Sequence, residues 1–375
     1  MKIVILSAAY PFRGGIANFT NLLAANLKQN NDVVVYTFTR QYPDLLFPGK
    51  TQMEPETGQK PITSIRTLDS INPLSWKKTG KLIKRENPDL LIFNFWMPFF
   101  APSFGTVAKI VKKNSGVKTL AICHNIVPHE SKPGDVFLTK YFLSKIDYFV
   151  LLSEKVKEEL LKLKPRANYK VLFHPVYSSF GNAVSKKEAK ERLNIDAGKV
   201  LLFFGLVREY KGLDVLLEAI AKVKNQSDVK LIVAGEFYDS KNKYLRMIKD
   251  LNIEQNVSVI DKYIESDEVK YYFSAADAVV LPYKEATQSG IVQVAVNFAK
   301  PLIGTTAGGL KEIIEDNVNG FLVQPGNPDD LANAIIKFYT EDKEEEFSAN
   351  IVKISEKFSW QKFSGELLKL VNVNN

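Results

Sequence analysis

Short continuous apolar runs alternate along the whole chain with amphipathic stretches of helical period. This is the pattern of parallel strands covered on both faces by helices. The first half predicts strands at residues 2–7, 32–38, 89–95, 118–124, 147–153 and 169–174, with helices at 15–29, 76–86, 103–114 and 154–164. A second series predicts strands at 199–205, 230–235, 257–260, 278–283 and 301–305, with helices at 212–224, 241–251, 266–276, 289–299 and 328–340. Residues 174–190 show no apolar periodicity and read as the linker, and a last helix follows at 359–371. Two doubly wound α/β domains in tandem are the result, with ligands expected at the carboxyl ends of the strands.

Length agrees, since 375 residues exceed one ordinary core. The opening MKIVILSAAYPF reads as a first buried strand and not as a signal peptide, because a proline and a Gly-Gly pair follow at once. The single cysteine, Cys123, points to a reducing, cytoplasmic setting, and no apolar run is long enough to span a bilayer. The net charge of +8 is unevenly placed. Residues 1–175 carry 25 Lys and Arg against 13 Asp and Glu, and the remainder carries 25 against 29. Basic helices at 77–85 and 109–113 are either solvated faces or a surface drawn to anionic lipid or an anionic acceptor. No nucleic-acid motif accompanies them, so nucleic acid is not an expected partner.

Candidate chemistry gathers at strand ends. Gly14 and Gly15 follow the first strand and open a helix, which is either a simple turn or a place where amides meet phosphate or sugar oxygens. His124 ends the fourth strand, where an imidazole serves a sugar hydroxyl or is satisfied by the loop; His129 carries no assignment. The histidines form no metal site. In FFGLVREYKGLDVLLEAI, Gly205, Arg208 and Lys211 bring two cations to a helix start, suiting a diphosphate. TTAGGLKEII repeats this logic with Gly308, Gly309 and Glu312. LPYKEATQSGIVQVAVNF places a polar cluster, Glu285 to Gly290, ahead of a helix carrying Gln293.

Together, GLVREYKGLDVLLEAI, DAVVLPYKEATQSG, KPLIGTTAGGLKEIIEDNVNGFLVQPGNPDDLANAI and FSWQKF resemble the GT-B glycosyltransferases, specifically the family-four group of retaining enzymes. The resemblance implies two Rossmann-like domains facing a central cleft: residues 1–175 for the acceptor, 176–355 for the nucleotide-sugar donor, and 356–375 as a helix returning to the first domain. It implies a UDP- or GDP-sugar donor, a glycan or lipid-linked acceptor, retention, no cofactor and no metal. No Asp-x-Asp occurs. Cell-surface polysaccharide or glycolipid synthesis at the inner face of the membrane is the matching setting.

By position, Lys211 matches the family lysine on the donor diphosphate, His124 the family histidine that approaches the donor sugar, and Gly15 the amide of the first-domain glycine loop. Where the family has arginine after the strand-end glycine this chain has Leu206, so Arg208 would reach the phosphates from two residues later. The family's paired glutamates fall on Glu285 and Gln293 counted within the motif, or on Ala286 and Val294 counted from Pro282 and Pro301. Helical geometry assigns Ile291, Val294, Ala295 and Phe298 to the core and leaves Gly290, Gln293 and Asn297 as a polar stripe, which favours Gln293. Ser289 and Gly290 then hold the diphosphate with backbone amides. The missing carboxylate leaves a catalytically silent sugar-nucleotide-binding or scaffold subunit as the alternative. A nicotinamide-dependent oxidoreductase lacks its Gly-x-Gly-x-x-Gly after the first strand.

Overall fold

The computed structural model describes residues 1–43, 51–54, 62–127, 133–177, 180–224, 228–238, 240–286 and 289–372. His129, Thr287 and Gln288 lie outside the described residues. The chain divides into two compact units, Met1–Pro175 with Ser359–Asn375, and Val176–Phe358.

The first unit holds a seven-stranded sheet, all parallel, in the order β3-β2-β1-β4-β5-β6-β7. Its strands are β1 (Lys2–Leu6), β2 (Asp32–Arg40), β3 (Ser64–Asp69), β4 (Leu90–Phe95), β5 (Lys118–Cys123), β6 (Tyr148–Leu151) and β7 (Asn168–Val171). Its helices are α1 (Gly15–Leu27), α2 (Pro73–Arg85), α3 (Ala101–Lys112), α4 (Asp135–Leu143) and α5 (Glu154–Leu163). Every residue of β4 is buried, as expected of a central strand covered on both faces.

The second unit contains α6 (Lys186–Leu193), β8 (Lys199–Phe204), α7 (Leu213–Val223), β9 (Val229–Ala234), α8 (Lys241–Asp250), β10 (Val257–Ile260) and α9 (Val269–Ala275). It continues through β11 (Ala278–Leu281), α10 (Gly290–Asn297), β12 (Leu302–Thr305), β13 (Gly320–Val323), α11 (Pro328–Thr340) and α12 (Glu344–Ser355). The sheet order is β10-β9-β8-β11-β12-β13, again all parallel. In both sheets the winding direction reverses beside the first strand of the unit, between β1 and β4 and between β8 and β11. Such a reversal opens a crevice at the carboxyl ends of the two strands.

The last helix, α13 (Trp360–Asn372), belongs to the first unit. Phe19 of α1 meets Trp360 and Phe363 at ring distances of 5.1 and 5.8 Å, Lys170 pairs with Glu366, and Lys118 Nζ donates to the Val371 carbonyl. The Val176 amide donates to the Phe358 carbonyl, so the two places where the chain joins the second unit are adjacent.

Five elements escape the hydrophobic pattern. β3 is an edge strand with a mostly exposed or half-buried face, so it shows no apolar run. α6 begins inside the segment read as linker; Ser185 caps it and Ala189 is its one buried residue. α4, β13 and α12 likewise leave no clear pattern, the first for its weak amphipathicity, the second for its four-residue length, and the third because its acidic start masks Phe347 and Ile351.

Candidate functional site

Three loops at the carboxyl edge of the second sheet are locked together by close backbone approach. After β8 the chain turns at Gly205, where φ is +94° and a Cβ would lie 3.2 Å from Ile291 Cδ1 and 3.4 Å from Lys211 Nζ. Gly212 precedes α7 with φ of +70°, and a Cβ there would lie 2.0 Å from the Pro282 carbonyl oxygen in the loop after β11. The Lys284 amide donates to the Tyr210 carbonyl at 2.7 Å, and Lys284 Nζ pairs with Asp214 at 2.6 Å. The third loop follows β12: a Cβ on Gly308 would lie 1.7 Å from the Ala286 carbonyl, and Thr305 Oγ1 donates to the Tyr283 carbonyl at 2.6 Å. Only glycine permits the contacts at 212 and 308.

Lys211 sits inside this clamp, 8% exposed, with its ammonium 5.8 Å from the centroid of the Tyr283 ring. Among the described residues no carboxylate pairs with it. Burial, and then the neighbouring charge of Arg208, push its pKa down to about 7. Arg208 is half-buried, its guanidinium 4.6 Å from the Tyr238 ring centroid. The edge that carries this aromatic platform extends β8 and β9: the Val207 amide donates to the Glu236 carbonyl and the Tyr238 amide to the Val207 carbonyl.

α10 starts beside them. Ser289 is its N-cap, but its hydroxyl does not bond the helix amides; it lies 3.1 Å from the Tyr283 hydroxyl. The Val292 amide turns back to the Ser289 carbonyl at 3.2 Å, and the start of the helix presents the positive end of its dipole without a side-chain cap. Gly290 keeps this start narrow, since a Cβ would be 3.3 Å from Tyr177 Cε2. One turn on, Gln293 is fully buried and not on an exposed polar stripe, and among the described residues neither its amide nitrogen nor its oxygen has a hydrogen-bond partner. An unmet buried amide costs roughly 1–3 kcal/mol per group. Val294 is buried too, whereas Ile291, assigned to the core by the helical pattern, is half-buried over Gly205.

Glu285 is exposed, and Ala286 is buried with its carbonyl against Gly308. Gly309 is buried and Glu312 half-buried in the 3-10 turn Gly308–Glu312. The structure thus brings Gly205, Arg208, Lys211, Ser289, Gly290 and Gly308 to one edge of the second unit, with Gln293 on the helix that starts there.

Gly14, Gly15 and His124 belong to the first unit, at the carboxyl ends of its strands. Gly14, with φ of +103°, precedes α1, and Gly15 is the first helical residue. His124 is 4% exposed, its ring 4.9 Å from that of Phe19, with Nε2 3.5 Å from Asn94 Oδ1. Asn94 Nδ2 donates to Ser7 Oγ and Thr20 Oγ1 at 3.2 and 2.9 Å, tying β1, α1 and β4 together beneath the imidazole. Burial, and then His174, hold the His124 pKa well below the usual value, so the ring is neutral.

Sequence reasoning missed Tyr177, Tyr238 and Tyr283, which wall the Lys211 and α10 region. A tyrosine ending the apolar run AVVLPY was the available signal for Tyr283. Among the described residues, no three His, Cys, Asp or Glu side chains are grouped as a metal site.

Residues 198–341 match the family described as glycosyl transferases group 1, and residues 13–178 match glycosyltransferase family 4. The chain belongs to the group 1, family 4 glycosyltransferases. An uncharacterised glycosyltransferase of Methanocaldococcus jannaschii is 24% identical over all of this chain and 98% of its own length. The N-acetyl-alpha-D-glucosaminyl L-malate synthase of Bacillus anthracis is 21% identical over 98% of this chain and 94% of its own. Among solved structures, Anabaena HepE in complex with UDP and glucose superposes with a TM-score of 0.78, covering all of both chains at 18% identity. The fold of this glycosyltransferase is therefore GT-B, with a seven-stranded and a six-stranded Rossmann-like unit. The two family matches meet near the junction of the units: the family-four match ends at residue 178, and the group 1 match begins at 198.

Proposed function

We propose that this glycosyltransferase moves a sugar from a UDP- or GDP-sugar to a glycan or lipid-linked acceptor, with retention at the anomeric carbon and without a metal. The carrying observation is Lys211, a buried cation with no carboxylate partner among the described residues, beside Arg208 and the start of α10, which has no side-chain cap. A site that holds positive charge out of water at a cost is complementary to a diphosphate, which gains charge as it leaves. HepE, solved with UDP and glucose, supports a nucleotide-sugar donor.

In this reading the bond from the anomeric carbon to the diphosphate oxygen breaks, leaving an oxocarbenium-like sugar; the acceptor oxygen bonds that carbon on the same face and its hydroxyl proton passes to the departing diphosphate. Lys211, Arg208 and the amides at Ser289 and Gly290 stabilise the departing diphosphate. Gln293 supplies its amide to a nucleotide hydroxyl, and Glu285 contacts the donor sugar or orients the lysine. His124 serves the donor sugar and Gly15 offers its backbone amide to the donor, while Gly14, Gly205, Gly308 and Gly309 keep backbone close to the ligand and Glu312 contacts the donor. The basic first unit suits an acceptor at the cytoplasmic face of a membrane.

The test is a thermal-shift screen of UDP- and GDP-sugars, followed by transfer to lipid-linked acceptors and assignment of the product anomer by NMR, with a chelator present throughout. Loss of one preorganised donor costs about 3 kcal/mol, roughly a hundredfold in rate. Lys211→Ala with wild-type turnover would refute the assignment. Binding without hydrolysis or transfer would favour a silent sugar-nucleotide-binding subunit, the reading that the amide at 293 in place of a carboxylate supports.

A further inference from the structure

Helices α2, α3 and α4 lie side by side on one face of the first sheet. Two glycines allow close approach: Gly80 of α2, whose Cβ would sit 3.0 Å from Ile110 Cβ, and Gly105 of α3, which faces the Tyr141 ring of α4. Each helix follows a strand, so all three start at the carboxyl edge of the sheet.

That edge exposes large apolar side chains. Leu74, in the first turn of α2, is 73% exposed and Phe137, in the first turn of α4, is 76% exposed. Ile71 and Val136, at the starts of α2 and α4, and Met97, ahead of α3, are also exposed. The Asn72 side chain already caps α2 through the Leu74 amide, so the leucine side chain has no part in ending the helix.

Behind this rim the outward surface is basic. Along α2 the exposed stripe runs Leu74, Lys77, Lys78, Lys81 and Arg85, spaced as one face of a helix. Lys109 of α3 and Lys140 of α4 add to it, while Lys84 and Lys112 turn to protein partners, the Lys113 carbonyl and Asp147. Neither α2 nor α3 contains an acidic residue, and Asp135 is the single carboxylate of α4. Solvated helix faces ordinarily mix both signs. An apolar rim backed by cations of one sign has the complement of an anionic bilayer, in which apolar side chains enter the acyl boundary and ammonium groups meet headgroup phosphates. No helix among the described residues is long and apolar enough to cross a membrane.

We infer that the α2–α3–α4 face docks the protein on an anionic lipid bilayer, with Leu74 and Phe137 inserted and the α2 lysines on the headgroups. This deepens the lipid-linked acceptor reading by naming the surface that brings the enzyme to it, and it does not depend on the transfer chemistry.

Co-sedimentation with phosphatidylcholine vesicles, with and without phosphatidylglycerol, tests the inference in the absence of donor and acceptor. Wild-type protein is expected to pellet with the anionic vesicles at low ionic strength and to be released by salt. Lys77→Gln/Lys78→Gln/Lys81→Gln should lower the partition coefficient about a hundredfold, at roughly fivefold per cation. Leu74→Gln/Phe137→Gln should lower it about tenfold or more while leaving the melting temperature unchanged, since both side chains are exposed. A charge-matched control on the second unit, Lys187→Gln/Arg246→Gln/Lys249→Gln, should bind like wild type. Absence of vesicle binding, equal binding to neutral vesicles, an equal loss in the control, or no loss in Leu74→Gln/Phe137→Gln would each overturn the proposal. Vesicle binding by a protein that transfers no sugar would leave the surface standing and count against the transfer reading alone.

Discussion

Replacing Lys211 by Met keeps the length of the side chain and removes its charge. Depression of the ammonium pKa from 10.5 to about 7 corresponds to a cost on the order of 4 kcal/mol at neutral pH, at about 1.4 kcal/mol per unit. The sign follows from proton counts. Between pH 7 and 10.5 the unfolded chain binds the proton and the folded chain does not, so the ligand-free protein gains stability as pH rises through this window. Lys211→Met should therefore be more stable than wild type at pH 7, with a melting temperature raised by about 5 °C or more, and the difference should shrink towards pH 9. Donor binding should behave oppositely. A diphosphate diester beside Lys211 restores the ammonium, so at pH 8 wild type should take up about 0.9 proton on binding a nucleotide sugar, and little at pH 6. Calorimetry in two buffers of different ionisation enthalpy reads this uptake directly. Affinity should fall up to about tenfold per pH unit above 7 in wild type and stay flat in Lys211→Met. Equal affinity of the two proteins, or binding without proton uptake at pH 8, would refute the placing of the diphosphate on Lys211.

Three further outcomes follow from local geometry. Gln293→Met removes two unmet polar atoms from a buried position, so the variant should melt higher by a few degrees, while nucleotide-sugar affinity measured by calorimetry drops about tenfold. Gly212→Ala forces a Cβ to 2.0 Å from the Pro282 carbonyl at a φ of +70°; chemical denaturation should show a loss of about 3 kcal/mol or more, with the donor-induced thermal shift abolished. His174, its pKa pushed down to about 4 by burial, is a proton acceptor only when unfolded between pH 6.5 and 4. Stability should thus be lost as pH falls through that window, by about 3 kcal/mol, and urea titrations of His174→Leu should show a shallower pH slope than wild type.

The sequence was enough to read the alternation of buried strands and amphipathic helices, because parallel strands covered on both faces are apolar at every position and leave a signature independent of their neighbours. The glycine pairs and strand-end cations were legible for the same local reason. Elements whose stability comes from their neighbours were not: β3 pairs at an edge with little apolar surface, and α6 buries one alanine. The order of strands, and with it the reversal between β8 and β11 that sets the position of the loops, depends on long-range pairing that no local pattern encodes.

The candidate site shows the same division. Residue types and spacing singled out Lys211, Ser289, Gly290 and Gln293, but a lysine in a loop and a glutamine on a helix are ordinary surface residues until their surroundings are known. Tertiary packing alone decided that Lys211 is buried under Tyr283, that Gln293 has no partner among the described residues, and that Glu285 is exposed while Ala286 is not. The physical reason is that desolvation and hydrogen-bond satisfaction depend on atoms distant in sequence. The Pro282 and Ala286 carbonyls seated against Gly212 and Gly308 close the clamp that removes water from the lysine.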